Sequence, residues 1–472
     1  MRQRAAIVVA MVVAATIVST LPGTVRAATR GRTVTSKRIA KGVVYRRIVD
    51  PKGPWVVYTI TVAPSAKNAI DPILAASTMG PLARTSQMAQ AGGAIAAING
   101  DFGGWYGHPT HPAVDDGDVV VSGTLSGATL GVTPDKKTDY MLHGFAQIHA
   151  RNLTLKTSAT IGALNIGAPG ANSIVAYTSY GGKVVRPPSN GCFARLKFPS
   201  KQHWGKADDG TYRDWVIGAA ECGSTMSVQP GQVVLASRQS GTGSRWMRAL
   251  KRRQHVRVAW GNAMPGVVDE ISGNPWLVNG GVVQATDRCR SYFCSRNPRT
   301  AVGYTADHHV VFFVVDGRLK NSVGMTPFEE ATFLQSLGVV DAVNLDGGGS
   351  STMWIKGMGV VNHPSDSTGE RAVIDALLLL PGADVSEPTP RAYSTKYSSK
   401  IRALTYRDGR ARVAPSYTSS ASFSLASWRR SLRDPGSTGG LMDWIVSSAH
   451  GRTRADLPAE VFRIADRFRA AH

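Results

Sequence analysis

Apolar positions in this chain fall mostly in short runs bounded by glycine and proline, the pattern of strands rather than of long helices. Val43-Val44-Tyr45 and Trp55 to Val62 open the series. Val119 to Val121, Phe145 to Ile148, Ile174 to Tyr177, Trp215 to Ile217, Val233 to Ala236 and Val256 to Trp260 continue it. Trp276 to Val283 reads as a hairpin, with Asn279-Gly280 between two apolar runs. Helical signals are few. Ser86 to Ala91 predicts a short helix ahead of an apolar strand, Ala94 to Ile98. Thr326 caps a second helix, with Pro327 at its first position and Glu329 completing a capping box. Phe328, Ala331, Leu334 and Leu337 share one face of it, and Gly338 ends it. The helix lies between two apolar strands, Val310 to Val315 and Val339 to Val343, so the order predicts a βαβ unit with a parallel pair. Ala372 to Leu380 predicts the last strand of the core.

Two strand exits share one grammar. Ala94 to Ile98 ends in Asn99-Gly100-Asp101-Phe102. Val339 to Val343 ends in Asn344-Leu345-Asp346, followed by Gly347-Gly348-Gly349-Ser350-Ser351-Thr352. Three successive glycines permit positive φ, and such a turn can gather backbone N–H groups around an anion. A carboxylate, amides and hydroxyls at a strand lip suit a catalytic pocket. The same residues also suit a tight glycine turn in which Asp346 caps its own backbone. The sequence leaves both readings open.

Composition adds three constraints. The chain has 472 residues, 43% of them hydrophobic, enough for one large domain or two ordinary ones, and its 50 glycines suit a fold rich in strands and loops. Arg2 and Arg4 precede an apolar stretch from Ala5 to Val18, then a Leu21-Pro22-Gly23 break and small residues near Ala27. This is the pattern of a secretory signal peptide, with residues 1–27 removed and no transmembrane segment expected in the mature chain. Removing Arg2, Arg4 and Arg26 lowers the formal charge from +22 to +19. So basic a secreted protein is attracted to polyanions such as nucleic acid, anionic lipid or phosphate-bearing wall polymers, and charge alone does not choose among them. The four cysteines fit export. Cys192 with Cys222 and Cys289 with Cys294 each close a local loop, so these are the expected disulfides, and no zinc-type spacing is present. Residues 28–383 are read as the main domain, 384–397 as a linker, and 398–472 as a basic, serine-rich tail or small module.

Between the first strand exit and the central strands lies Gly104-Trp105-Tyr106-Gly107-His108-Pro109-Thr110-His111-Pro112. Its aromatic rings beside a strand exit suit sugar stacking. The prolines rule out a helical ligand pair of His108 and His111, so no metal site is expected there.

Taken in order, Asn99-Gly100-Asp101-Phe102, Asn279-Gly280-Gly281, Arg299-Thr300-Ala301-Val302-Gly303, Asp316-Gly317-Arg318, the Thr326 helix and Asn344 to Thr352 resemble the phosphodiester glycosidase family over roughly residues 90–380. The last strand opens with Arg371-Ala372-Val373-Ile374-Asp375, where family members often carry an Arg-Pro-x-x-Asn pattern. The resemblance implies an α+β domain with mixed sheets and short helices. It also implies cleavage of a sugar-1-phosphodiester to free sugar and phosphomonoester. On this reading Asp346 and Asp101 are the catalytic carboxylates. Substrate or phosphate would be held by Arg299, Arg371, Asn99, Asn279, Asp316, Trp105, His111 and the Gly347, Gly348, Gly349, Ser350 and Ser351 turn. The expected partner is a phosphate-bearing carbohydrate, with anionic wall polymers as further candidates and no specific nucleic acid. The expected location is extracellular or at the cell wall. No cofactor is required, although Asp101 and Asp346 leave room for a divalent metal. Three other readings use the same residues: a metal-dependent phosphodiesterase, a glycosidase indifferent to phosphate, and a non-catalytic polyanion-binding wall protein.

Overall fold

In a computed structural model of the chain, residues 27–29 and 31–381 are described, apart from short internal stretches of which 198–210 is the longest. Nearly all of the expected leader, the 384–397 linker and the 398–472 tail lie outside the described residues, as does Trp105. No helix among the described residues is long and apolar enough to cross a membrane.

The architecture is two packed sheets with a helix on each outer face. A nine-stranded sheet has at its centre the strands Trp55–Val62, Val310–Val315, Arg299–Thr305 and Val339–Asn344, in that spatial order. A five-stranded sheet places Ala96–Asn99 between Met353–Ile355 and Asp375–Leu380. Their facing sides share one core: Tyr58, Ile60, Val302, Phe312 and Val343 meet Ile98, Met353, Leu377 and Leu379. The reverse face of the large sheet is covered by the helix Pro327–Ser336, through Ala331, Phe333 and Leu334 against Phe313, Val315 and Ala342. The helix Thr85–Ala91 covers the reverse face of the smaller sheet through Met88 and Ala89. This explains why Val310–Val315 is apolar throughout: both of its faces are buried, so alternation would expose nothing to water. The Thr326 capping box forms as expected, with Glu329 N donating to Thr326 Oγ1 at 3.1 Å and Thr326 N to Glu329 Oε2 at 2.9 Å. Phe328, however, is exposed, and Phe333 takes its expected place in the core.

Two expectations about pairing change. Val310–Val315 and Val339–Asn344 run parallel but do not pair, because Arg299–Thr305 lies between them and is antiparallel to both. The connecting helix passes over that intervening strand, which had already formed a tight hairpin with Val310–Val315. The series of short strands in the middle of the chain builds two structures of its own. One is a second five-stranded sheet that contains Gly127–Val132 and Asp269–Gly273. The other is a closed seven-stranded barrel between residues 147 and 261. The barrel has a separate core, including Leu164, Ile174, Leu196, Leu235 and Val258. Its strands Thr157–Leu164 and Ile174–Tyr177 make the one parallel ladder among the described pairings. The protein is therefore β-rich, with three short α-helices among the described residues, and fits the α+β class loosely. Both expected disulfides form. Cys192–Cys222 joins neighbouring barrel strands, and Cys289–Cys294 closes a loop ahead of Arg299.

Candidate active site

The antiparallel register brings one end of each packed sheet to the same place. In the large sheet, Arg299 opens its strand opposite Val315, and Ala301 faces Asn344, so the Arg299 start and the Asp316 and Asp346 exits lie together. In the smaller sheet, Asn99 faces Ala376 and Ile98 faces Met353, so the Asp101 exit meets the starts of the Met353 and Asp375 strands. The two ends are tied by Asn99. Its Nδ2 donates to the Asp346 carbonyl at 2.6 Å, and its Oδ1 accepts from Thr300 Oγ1 at 2.8 Å and Thr352 N at 3.0 Å. Asp346 N also donates to the Gly100 carbonyl at 2.9 Å. Asn99 is fully buried, so it positions the site and does not bind substrate as expected.

Three carboxylates converge here. Asp101 is buried and held rigidly: Oδ1 accepts from Phe102 N at 2.7 Å and lies 2.6 Å from His111 Nδ1, while Oδ2 accepts from His111 N at 2.7 Å. An ionised Asp101 fixes the Nδ1–H tautomer of His111 and leaves Nε2 buried with no partner among the described residues. Asp346 is partly buried. Desolvation pushes its carboxyl up to about 6, and the Asp101 charge adds to this, while Ser350, Arg371 and the Gly347 amide pull the other way. Asp375, which stands where family members often carry an asparagine, is the third. It is buried, and desolvation together with the Asp101 and Asp346 charges raises its carboxyl well above the usual range. Gly100 makes this approach feasible: a Cβ there would lie 2.4 Å from Asp375 Oδ1. The available signal for Asp375 was a lone acid leading an otherwise apolar strand, Asp375–Leu380.

The glycine turn is less of an anion nest than the sequence suggested. Gly348 N donates to Pro298 O, tying the turn to the approach to Arg299, while Ser350 N donates to Gly347 O and Ser351 N to Gly348 O, closing the turn on itself. Ser351 is fully buried, and its carbonyl accepts from Asn362. Ser350 remains in the site, bonded to Asp346 and reached by Arg371 Nη1 at 3.5 Å. Arg371 is half-exposed and holds Asp366 with two parallel bonds of 2.7 and 2.8 Å. Gly349 is required beside this pair, since a Cβ would lie 2.1 Å from Asp366 Oδ1 and 2.2 Å from Arg371 Nη2.

Three further expected site residues have other tasks. Arg299 is buried, and its guanidinium is turned into loop carbonyls: Nε donates to Met325 O at 2.9 Å, and Nη2 to Phe293 O at 2.5 Å and Ser295 O at 2.9 Å. It also stacks on Phe293, 4.9 Å from the ring centroid. Arg299 therefore anchors the Cys289–Cys294 loop, whose Phe293 leans on Phe102 at 6.1 Å beside Asp101, instead of gripping phosphate. The buried Asp316 carboxylate accepts from Tyr58 Oη at 2.9 Å and His363 N at 2.7 Å, which fixes the loop that carries Asp366. Asn279 is exposed at the other end of the sheet. Its hairpin bonds Asp341 through Gly280 N, and Asp341 is five residues before Asp346, roughly 15 Å of extended chain. Among the described residues no group of three His, Cys, Asp or Glu side chains converges as a metal site.

A family model described as phosphodiester glycosidase matches residues 208–380. That segment belongs to the phosphodiester glycosidase family. The matched segment contains Asp346, the glycine turn, Arg371 and Asp375, while Asp101 and His111 join it through the fold. A prophage-derived uncharacterized protein YomE of Bacillus subtilis is 39% identical over 84 residues, covering 18% of this chain and 13% of that protein. The N-acetylglucosamine-1-phosphodiester alpha-N-acetylglucosaminidase of Mus musculus is 32% identical over 112 residues, 21% of either chain. The matches thus span about an eighth to a fifth of the length of these curated relatives. A crystal structure of a hypothetical protein from Synechocystis shares the fold, with a TM-score of 0.60 at 18% identity over 73% of this chain and 63% of that one.

Proposed function

We propose that the protein is a hydrolase that cleaves a sugar-1-phosphodiester at the anomeric C–O bond, releasing free sugar and a phosphomonoester. The observation that carries this reading is the meeting of Asp101 and Asp346 at one lip through Asn99, with Arg371 beside Asp346. The family matched by residues 208–380 and the bond named in the mouse relative's name support the same chemistry.

In the proposed reaction ionised Asp346 faces the positive charge that develops at C1 and takes a proton from the attacking water. The water oxygen bonds to C1, and the C1–O electron pair leaves on the phosphate oxygen. Phosphate is a good leaving group that needs little protonation but gains from cationic donors such as Arg371. Asp101, locked by His111, supplies fixed negative charge on the other side. Both Asp101 oxygens are already used by His111 and the Phe102 amide, so the reading invokes neither a metal nor another cofactor. Export and a wall or extracellular phosphate-bearing glycan as substrate complete the proposal. They are supported by the Arg2 to Ala27 pattern, the two disulfides and the basic charge.

Hydrolysis in ¹⁸O-water tests the reading. Label in the released sugar is the expected result. Label in the phosphate would mean P–O cleavage and overturn it.

A further inference from the structure

We infer that Arg318 is the specificity-determining contact for the phosphate group of the substrate, an assignment that rests on the phosphodiester reading above. Three arginines surround the glycine turn, and their commitments differ. Arg299 is buried and spent on carbonyls. Arg371 shares its charge with Asp366 through two bonds and reaches Ser350 with Nη1. Arg318 is exposed, and its guanidinium is oriented by neutral groups only: Nη1 donates to Ser365 Oγ at 3.1 Å and Nη2 to Asn297 Oδ1 at 3.1 Å. Among the described residues it has no carboxylate partner, so its charge is uncancelled. A guanidinium has five N–H donors, and these two bonds leave three of them for a ligand.

Its position matches that role. A Cβ on Gly348 would lie 3.2 Å from Arg318 Nη2, as a Cβ on Gly349 would lie 2.2 Å from Arg371 Nη2. The two guanidiniums therefore lie against successive glycines of the turn that follows Asp346, the turn beside which a leaving phosphate would emerge. Arg318 reaches this position from a φ of +62°, a left-handed backbone that an arginine rarely adopts. Such strain persists where the surrounding structure enforces it, and it concentrates at functional sites. With no Cβ at Gly348 or Gly349, both guanidiniums approach the turn backbone closely. The chemistry recognised is a phosphate dianion or monoanion, held by parallel N–H donors that lysine cannot reproduce. It could arrive as the phosphodiester of the substrate or as the free phosphomonoester product.

The test measures inorganic phosphate binding to the full chain by calorimetry, alongside kcat/KM on a sugar-1-phosphodiester. The variants are Arg318→Met, Arg318→Asn, whose residue tolerates positive φ, and Arg38→Met, which removes an exposed charge far from the turn; melting temperatures check folding. The expected result is phosphate binding by the native protein, weakened at least about 10-fold in both Arg318 variants and unchanged in Arg38→Met, with a parallel fall in kcat/KM. Equal phosphate affinity in the native and Arg318 variant proteins, or no phosphate binding by the native protein, overturns the site. Weakened phosphate binding with unchanged kcat/KM would assign the anion site to product alone and overturn the substrate contact. Normal phosphate results with no cleavage of any sugar-1-phosphodiester would instead remove the proposed function and leave the anion site standing.

Discussion

Asn99 donates to the Asp346 carbonyl at 2.6 Å while its own carbonyl oxygen accepts from Thr300 and Thr352, so one buried amide sets the distance between the two strand exits that carry the carboxylates. The repeated Asn-x-Asp grammar is thus asymmetric. Asn344 uses its amide elsewhere, donating to Asn274 O at 2.7 Å.

Replacing Asn99 by Ala strands three buried polar groups and should cost on the order of 2–4 kcal/mol of stability. Activity should fall further than the folded fraction does, because Asp346 loses its placement against Asp101. Urea unfolding with kcat/KM measured at full folding checks this. Activity per folded molecule equal to that of the native protein would show that Asn99 only stabilises.

Asp346 titrates near 6, raised mainly by desolvation. A proton-accepting role predicts that kcat/KM rises with pH through about 6. The stability consequence has the opposite sense. A carboxyl with a raised folded value favours folding while protonated, and that advantage is lost as pH rises from about 4 through about 6. Asp346→Asn should therefore abolish most of the rate, by about 10²–10⁴-fold, yet raise the melting temperature at pH 7.5 relative to the native protein and scarcely at all at pH 4. A melting temperature lowered at both values would show that the ionised carboxylate is structurally favourable.

Arg299→Lys tests its anchoring role. Lysine cannot reach three carbonyls and a ring face at once, so stability should fall by roughly 2–3 kcal/mol, and the Cys289–Cys294 loop should become open to limited proteolysis. Rates on a phosphodiester and on an aryl glycoside should fall by similar factors, since the lost contact is to the loop. A loss confined to the phosphodiester would return Arg299 to the phosphate.

Gly349→Ala places a methyl within 2.1 Å of Asp366 Oδ1 and 2.2 Å of Arg371 Nη2, so the ion pair must move. Because that pair is partly exposed, the stability change should be at most about 1 kcal/mol. The rate should fall at least about 10-fold as Arg371 leaves Ser350 and Asp346. A native rate in this variant would remove Arg371 from the leaving-group site.

By itself the sequence determined the local elements and the placing of two aspartates at strand exits. The Thr326 box, the Val310–Val315 and Ile174–Tyr177 strands, both disulfides and the two aspartates at strand exits follow from side chains close together in the chain, where propensity and loop closure decide. Only the tertiary structure decided which side chains face the pocket. Arg299 and Arg318 are both arginines at the same sheet end, yet one is turned into the Phe293 loop and the other left over Gly348, because each direction depends on segments distant in sequence. The same holds for Asn279, sent to the far end of the sheet by an antiparallel register, and for Asp375, whose burial comes from strands contributed by residues 96–99 and 69–74. The barrel closes through pairs between residues 147–152 and 255–261, a separation that no local pattern encodes.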